Sequence, residues 1–531
     1  MRLTRRGVAR SGLAAAAASL LPLPAITQAA GAGTLRVVPQ ANLTVLDPIW
    51  TTAVITRHHG YLVYDQICAL DHSFQVRPQM AEGWTIEDDG LSWTFTLRPD
   101  LRFHDGEKVR AADCVASIRR WGARDQFGQA AMAATDELAA LDDRRFRFRL
   151  KRRFPLLAAA LGKQTSSPCF IMPERVAATD PGRQISETVG SGPYRFMRDE
   201  FVPGARVGYR RFDAYVPRQE PPDWTAGGRV ARIEHVEWHI LPDPATAGAA
   251  IQAGEVDLLE FPLHDLLPTF RRNRNLVVHM RDRMGTYGML RFNHLIAPFD
   301  NPALRRALAM AVDQRDYMRA VAGDEPGAWR TCFSFFTCDT PMASDGARAL
   351  LENPSLERAR AAMREAGYAN ERVVLIAPGD LPTVFALSQI TADLMQKLGF
   401  NLDFVTMDWG TLVQRRAKMD PIDQGGWNIL HTTWSGAEHL DPAAHQQIRG
   451  NGRRGWVGWP EDAETERLRS AWFEAPDAAA QKRDAAGMEA RAAINLPYVP
   501  LGVYFHPTVW RSNVSGVIDA PVLLMYNISK A

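Results

Sequence analysis

A single hydrophobic core stops growing at roughly 250 to 300 residues. This chain runs to 531 residues, so its apolar side chains must be shared between at least two domains. No repeat of fixed period and no low-complexity linker divides it. Charged residues make up 23%, mixed in sign, which is the composition of a globular chain. With 62 basic against 60 acidic residues, the sequence offers no polyelectrolyte face for nucleic acid.

The N-terminus reads as an address, not as part of the fold. Arg2, Arg5, Arg6 and Arg10 precede an apolar run from Leu13 to Leu21, and Pro22, Pro24 and small residues through Ala30-Gly31-Ala32 follow. That order predicts a signal peptide over 1–32. The run is about half the ~20 residues that cross a bilayer, and nothing comparable follows it. Thr4-Arg5-Arg6-Gly7-Val8-Ala9-Arg10 reads as a twin-arginine signal; a Sec signal with a chance arginine pair is the alternative. No cysteine stands near the cleavage point to accept a lipid, so the expectation is a free periplasmic protein. Removing 1–32 takes four arginines and no acid, leaving 58 basic against 60 acidic residues.

In an oxidising compartment, Cys332 and Cys338 flank a five-residue loop that a disulfide could close. Cys68, Cys114 and Cys169 sit among apolar or small residues and read as buried thiols.

Strict alternation over Leu91–Leu97 and Arg145–Leu150, and of Val236, Trp238 and Ile240 against His235, Glu237 and His239, predicts half-buried strands. On this reading His235 and His239 face solvent. Asp243-Pro244 opens a helix that Gly254 stops, and Asn301-Pro302 opens another. In the second, Leu304, Leu308, Ala311 and Val312 share one face, with Arg305, Arg306 and Asp313 elsewhere on the surface. Strands alternating with helices indicate an α/β architecture.

Hydrolase signatures are missing: there is no Gly-x-Ser-x-Gly and no His-Glu-x-x-His. Gly450-Asn451-Gly452-Arg453-Arg454-Gly455 matches the dinucleotide fingerprint by letter, but neither an apolar strand precedes it nor a helix follows, so it reads as a surface loop. His431, His439 and His445 have no standard metal spacing, and no metal or cofactor is expected. Tryptophan carries more information. There are 14, and Trp409, Trp427, Trp434, Trp456 and Trp459 crowd into about fifty residues. Each reads first as core, but several stand beside Gly, Asp, Ser or Pro, as aromatic pocket walls do.

Taken in order, a string of segments resembles the solute-binding proteins of peptide and nickel ABC transporters, the extracellular family 5 binding proteins. The segments are Leu46-Asp47-Pro48, Met80-Ala81-Glu82-Gly83-Trp84, Asp89 to Phe95 with Leu97-Arg98, and Phe103-His104-Asp105-Gly106. They continue with Ala112-Asp113, Gly190-Ser191-Gly192-Pro193-Tyr194, Ile251 to Asp257, Phe292-Asn293 and Ala303 to Leu308. The resemblance implies a two-lobe, type II hinge-closing periplasmic binding protein. Lobe one would be 33–290 with an extra subdomain at about 55–185, lobe two 291–500, and 501–531 a return to lobe one. The two crossings are expected near Gly288–Phe292 and Pro497–Val503. The partners it implies are a small organic solute and an inner-membrane ABC permease, with the protein a monomer.

Ligand contacts are carried over residue by residue. Trp409, within Met407-Asp408-Trp409-Gly410-Thr411, and Trp434 match the tryptophans that touch peptide in relatives. Arg416 and His431 fall where relatives place basic contacts. Three residues after Trp434, where relatives carry an Asp for the peptide ammonium, this chain has Ala437, with Glu438 beside it. The competing reading is a secreted enzyme, such as a hydrolase, using Asp408, Glu438 and Asp441 as acid and base. The missing nucleophile and cofactor motifs favour the binding protein.

Overall fold

The structure is a computed structural model, and it describes residues 33–531; the signal peptide expected over 1–32 lies outside the described residues. No helix among the described residues is long and apolar enough to cross a membrane.

Two large sheets carry the architecture. The first has seven strands in the order Tyr194–Val202, Arg206–Arg211, His235–His239, Thr34–Val38, Leu258–Leu259, Thr508–Arg511, Leu276–His279. Thr34–Val38 is parallel to both its neighbours. The helix Pro244–Ala253 starts and stops as its sequence requires: Asp243 accepts from the Thr246 N–H, and Gly254 closes it at φ 79°. Val236 and Trp238 face the core. His235 and His239, expected in solvent, are half-buried. Carboxylates on the same sheet explain this, since His235 Nε2 lies 2.6 Å from Glu200 and His239 Nε2 3.1 Å from Glu237.

The second sheet has six strands in the order Trp329–Arg330, Tyr498–Tyr504, Thr286–Phe292, Ile429–Ser435, Arg372–Pro378, Asn401–Met407. Arg372–Pro378 and Asn401–Met407 are parallel, and the helix Pro382–Leu398 makes the crossover that such a pair needs. Asn301 caps the helix Pro302–Ala309 by accepting from the Ala303 N–H. Arg305 corrects the surface reading: it is 3% exposed, because its guanidinium donates to the Phe299 and Asn495 carbonyls. Burial pulls its pKa down to about 9.

A third, antiparallel sheet orders Ala81–Glu87, Ser92–Leu97, Arg145–Leu150 and Thr135–Ala140. Its inner face stacks Phe95 on Phe146 at 5.2 Å. It reaches the second sheet's helices through Phe154, stacked 5.8 Å from Phe473, with Phe127 5.7 Å from the same ring. Residues 54–63, at the start of the span of about 55–185 expected for this subdomain, form the helix Val54–Val63. Ile55, Tyr61, Leu62 and Val63 pack with Leu35, Val37 and Trp238 of the first sheet.

The chain passes between the two large sheets twice, between His279 and Thr286 and between Tyr504 and Thr508. Gly288–Phe292 and Pro497–Val503, expected to be those crossings, pair with each other inside the second sheet. Their buried runs, Met289, Leu290 and Phe292 against Val499, Leu501 and Val503, need a sheet interior. The crossings therefore fall at 280–285 and 505–507.

Cys332 and Cys338 are joined by a disulfide, and the Cys338 N–H donates to Tyr287 Oη at 2.9 Å. Cys68, Cys114 and Cys169 are free and buried, and burial pushes their thiols well above the ordinary range. Alkylation of the unfolded mature protein should therefore label three thiols without reductant and five with it. Five without reductant would show that the loop is open.

Candidate functional site

Around the second crossing successive side chains alternate between two faces. Tyr504 and His506, with Thr286, line a cavity of about 350 Å³ on one face. Phe505, with Met280 and Met284, lines an open groove of about 970 Å³ on the other. Arg281, Asp282 and Pro521 border both.

The smaller cavity draws on both large sheets. Gln40 and Glu260, just past the strands Thr34–Val38 and Leu258–Leu259, form one wall with Arg57 of the helix Val54–Val63. Thr433, Trp434 and Ser435, the last residues of the strand Ile429–Ser435, form the other with Thr383 and Val384. An aromatic rim is built by Phe261 stacked on His506 at 4.5 Å, with Tyr504 edge-on to that ring at 5.0 Å. Burial lowers His506 to about 3, so its ring is neutral.

Charge in this cavity is heavily desolvated. Arg57 is 3% exposed and Glu260 1%. Burial raises the Glu260 carboxyl to about 7, with Arg281 and the Gln40 N–H pulling it back. Burial also raises Asp282 and lowers Arg281. Arg281 is anchored by donating to Thr508 Oγ1 and the Ala520 carbonyl.

The residues expected to touch ligand separate into distinct places. Trp434 lines the cavity, and its Nε1 is buried with no acceptor among the described residues. Trp409 opens the helix Trp409–Arg416 outside the cavity. The Arg416 guanidinium lies 5.2 Å over its ring and 5.7 Å over Trp456, and Trp456 meets Trp434 edge-on at 5.8 Å. Trp409, Arg416 and Trp434 are thus linked in one stack through Trp456, but only Trp434 borders the cavity.

His431 is a correction. It is fully buried beneath the helix Pro382–Leu398, between Ser388 Oγ at 3.1 Å and Thr391 Oγ1 at 2.8 Å, and burial lowers it to about 3. Glu438 is a second correction. Its carboxylate accepts from Arg57 Nη1 at 2.9 Å, the Ser166 N–H at 3.0 Å and Ser166 Oγ at 2.8 Å, and it is buried behind Arg57 and does not line the cavity. Ala437, which stands where the resemblance led us to expect an ammonium partner, is buried against Met284 and Leu440.

Arg57, Glu260, Arg281 and Asp282 escaped the sequence reading. A signal was present: Leu258-Leu259-Glu260-Phe261 and Val54-Ile55-Thr56-Arg57 each set one charge in an apolar stretch, and such charges stay buried only with a purpose. No group of three or more His, Cys, Asp or Glu among the described residues could hold a metal.

Two α/β layers joined by paired crossings, with a solute-sized cavity where they meet, define a hinge-type periplasmic binding protein. Residues 75–455 match the family described as bacterial extracellular solute-binding proteins, family 5 Middle, and the chain belongs to that family. A probable peptide ABC transporter periplasmic-binding protein of Sinorhizobium fredii (y4tO) is 37% identical over 536 residues, covering 100% of both chains. Two solved structures share the fold. The periplasmic binding protein AgaA of A. tumefaciens, in complex with agropinic acid, has a TM-score of 0.78 at 19% identity and covers 94% of this chain and 99% of its own. A dipeptide-binding protein of Pseudoalteromonas sp. SM9913, in complex with Met-Leu, has a TM-score of 0.76 at 20% identity and covers 94% and 100%.

Proposed function

We propose that the protein captures a small organic solute, peptide-like or other, in the cavity between the two sheets and delivers it to an ABC permease. The carrying observation is the cavity itself, which brings together Trp434 of the second sheet, Glu260 just past a strand of the first and Arg57 of the helix Val54–Val63. Closure of such a cleft excludes water and strengthens each polar contact. The relatives' names, a peptide transporter component and a dipeptide-binding protein, support a peptide-like solute.

The enzyme reading is weaker because its carboxylates are occupied. Asp408 caps a helix by accepting from the Thr411 N–H, Asp441 accepts from the Ala443 and Ala444 N–H groups, and Glu438 holds Arg57 and Ser166. No catalytic role is assigned. Native mass spectrometry of the mature protein from its own periplasm should find a retained solute, released unchanged on unfolding. Turnover of that solute would overturn the reading.

In this reading, lobe two spans about 286–504 and lobe one the described residues on either side, a few residues outward of 291–500. The hinge lies at 280–285 and 505–507, and the protein acts as a monomer. Export by the twin-arginine route completes the proposal, resting on the Arg5-Arg6 pair before an alanine-rich core. Changing both to Lys should leave precursor in the cytoplasm; normal maturation would point to Sec.

A further inference from the structure

The two lobes also touch away from the cavity. Phe473, on the helix Ala463–Glu474 of lobe two, meets two rings of the subdomain: Phe154, stacked on it at 5.8 Å, and Phe127 at 5.7 Å. Phe127 and Phe154 touch each other at 6.2 Å, and all three rings are 5% exposed or less. Beside them Arg152 of the subdomain forms an ion pair with Glu474, and Arg449, held by Glu466, donates from Nη1 to Gln126 Oε1 at 3.2 Å. Glu438 makes a second junction. From the turn Gly436–His439 of lobe two, its carboxylate takes Arg57 of the helix Val54–Val63 and both donors of Ser166. Of all these residues only Arg57 borders the cavity.

Separating the lobes would break both junctions. A buried aromatic side chain hides roughly 150 to 250 Å², so pulling Phe473 off Phe127 and Phe154 would uncover a contiguous apolar patch on the order of several hundred Å², which soluble monomers rarely show without a partner. Arg57 would lose its carboxylate and keep the Gln164 carbonyl at 3.2 Å. Each contact joins two protein groups, and none passes through the cavity. They therefore favour closure with or without solute.

We propose that Phe473 and Glu438 form a clasp between lobe two and the rest of the protein that keeps it closed even without solute, so that solute enters through brief openings. Such a clasp changes what sets affinity. A solute that binds the closed form finds it already populated, and its apparent dissociation constant is the intrinsic one divided by a closed fraction near one. Loosening the clasp lowers that fraction and weakens binding without altering any solute contact. The subdomain is taken to move with lobe one, as in the reading above.

The test is a distance measured by pulsed electron paramagnetic resonance between spin labels at Glu87→Cys in the subdomain and Lys482→Cys in lobe two, both exposed positions. The three free native thiols are buried and stay unlabelled in the folded protein. The mature protein is stripped of solute by unfolding and refolding, and native mass spectrometry checks that it is solute-free. Without further substitution, about nine-tenths of the molecules or more should show the distance of the closed structure; in Phe473→Ala and in Glu438→Ala at least half should show a longer one, roughly a tenfold shift in the equilibrium. Circular dichroism confirms that each variant is folded. Should Phe473→Ala fail to fold, Glu438→Ala and the labelled parent still decide. A majority of long distances in the solute-free parent would overturn the inference, as would short distances retained in the folded variants. The readout is a distance in solute-free protein, so neither result bears on whether a solute is carried; failure to find any retained solute would instead count against the functional reading.

Discussion

Replacing Asp65 by alanine should cost the mature protein about 3 to 5 kcal/mol of stability, the range for a buried ion pair broken on one side. Asp65 is 1% exposed and its partner Arg229 fully buried. Arg229 Nη1 donates to Asp65 Oδ1 at 2.7 Å, and Tyr215 Oη donates to Oδ2 at 2.9 Å. The guanidinium also lies 5.7 Å from the Tyr61 ring and 5.6 Å from that of Tyr526. Without the carboxylate it becomes a buried, uncompensated cation. The consequence reaches the cavity through the C-terminal return. The Asn527 N–H donates to the Val230 carbonyl and Asn527 Nδ2 to the Gly228 carbonyl, and the same return supplies the Ala520 carbonyl that fixes Arg281 and the Pro521 that lines the site. Urea unfolding should show a lower midpoint, and Asp65→Asn, which keeps an acceptor, should lose less. A loss under about 1 kcal/mol for the alanine variant would mean that Arg229 finds another partner.

Trp434→Ala should weaken solute binding by at least ~2 kcal/mol, roughly thirtyfold, the scale of an aromatic anchor. Trp434 is half-buried at the end of its strand and borders the cavity, so its loss should change the solute-free melting temperature little. Trp427 is the control. It is fully buried, its Nε1 donates to the Arg416 carbonyl at 3.0 Å, and its truncation should cost about 3 to 5 kcal/mol of stability. Retained affinity in a badly destabilised Trp434→Ala protein would assign Trp434 to the core instead.

Much of the fold was legible because local pattern and tertiary burial agree. Val236 and Trp238 alternate as a half-buried strand requires, and Asp243 and Asn301 cap the helices they precede, all within a few residues of chain. The site was legible only where an aromatic stood at the end of a strand, as Trp434 does. Charged groups were misplaced because their partners are remote. Glu438 meets Arg57 across 381 residues and Arg305 reaches the Asn495 carbonyl across 190, so neither contact leaves a local signature. His431 failed for a related reason: two hydroxyls on the overlying helix satisfy its ring and make a polar residue at home in the core. The crossings shifted because Gly288–Phe292 and Pro497–Val503 are recognisable by sequence, yet their apolar residues are consumed by the second sheet, leaving 280–285 and 505–507 to turn the chain.

The most direct measurement is a crystal structure of the mature protein with the solute it retains. Solute bounded by Trp434, Arg57 and Glu260, between the two sheets, is the expected result. Solute on the opposite face of the crossings, in the groove of Met280, Arg330 and Phe505, would contradict the account.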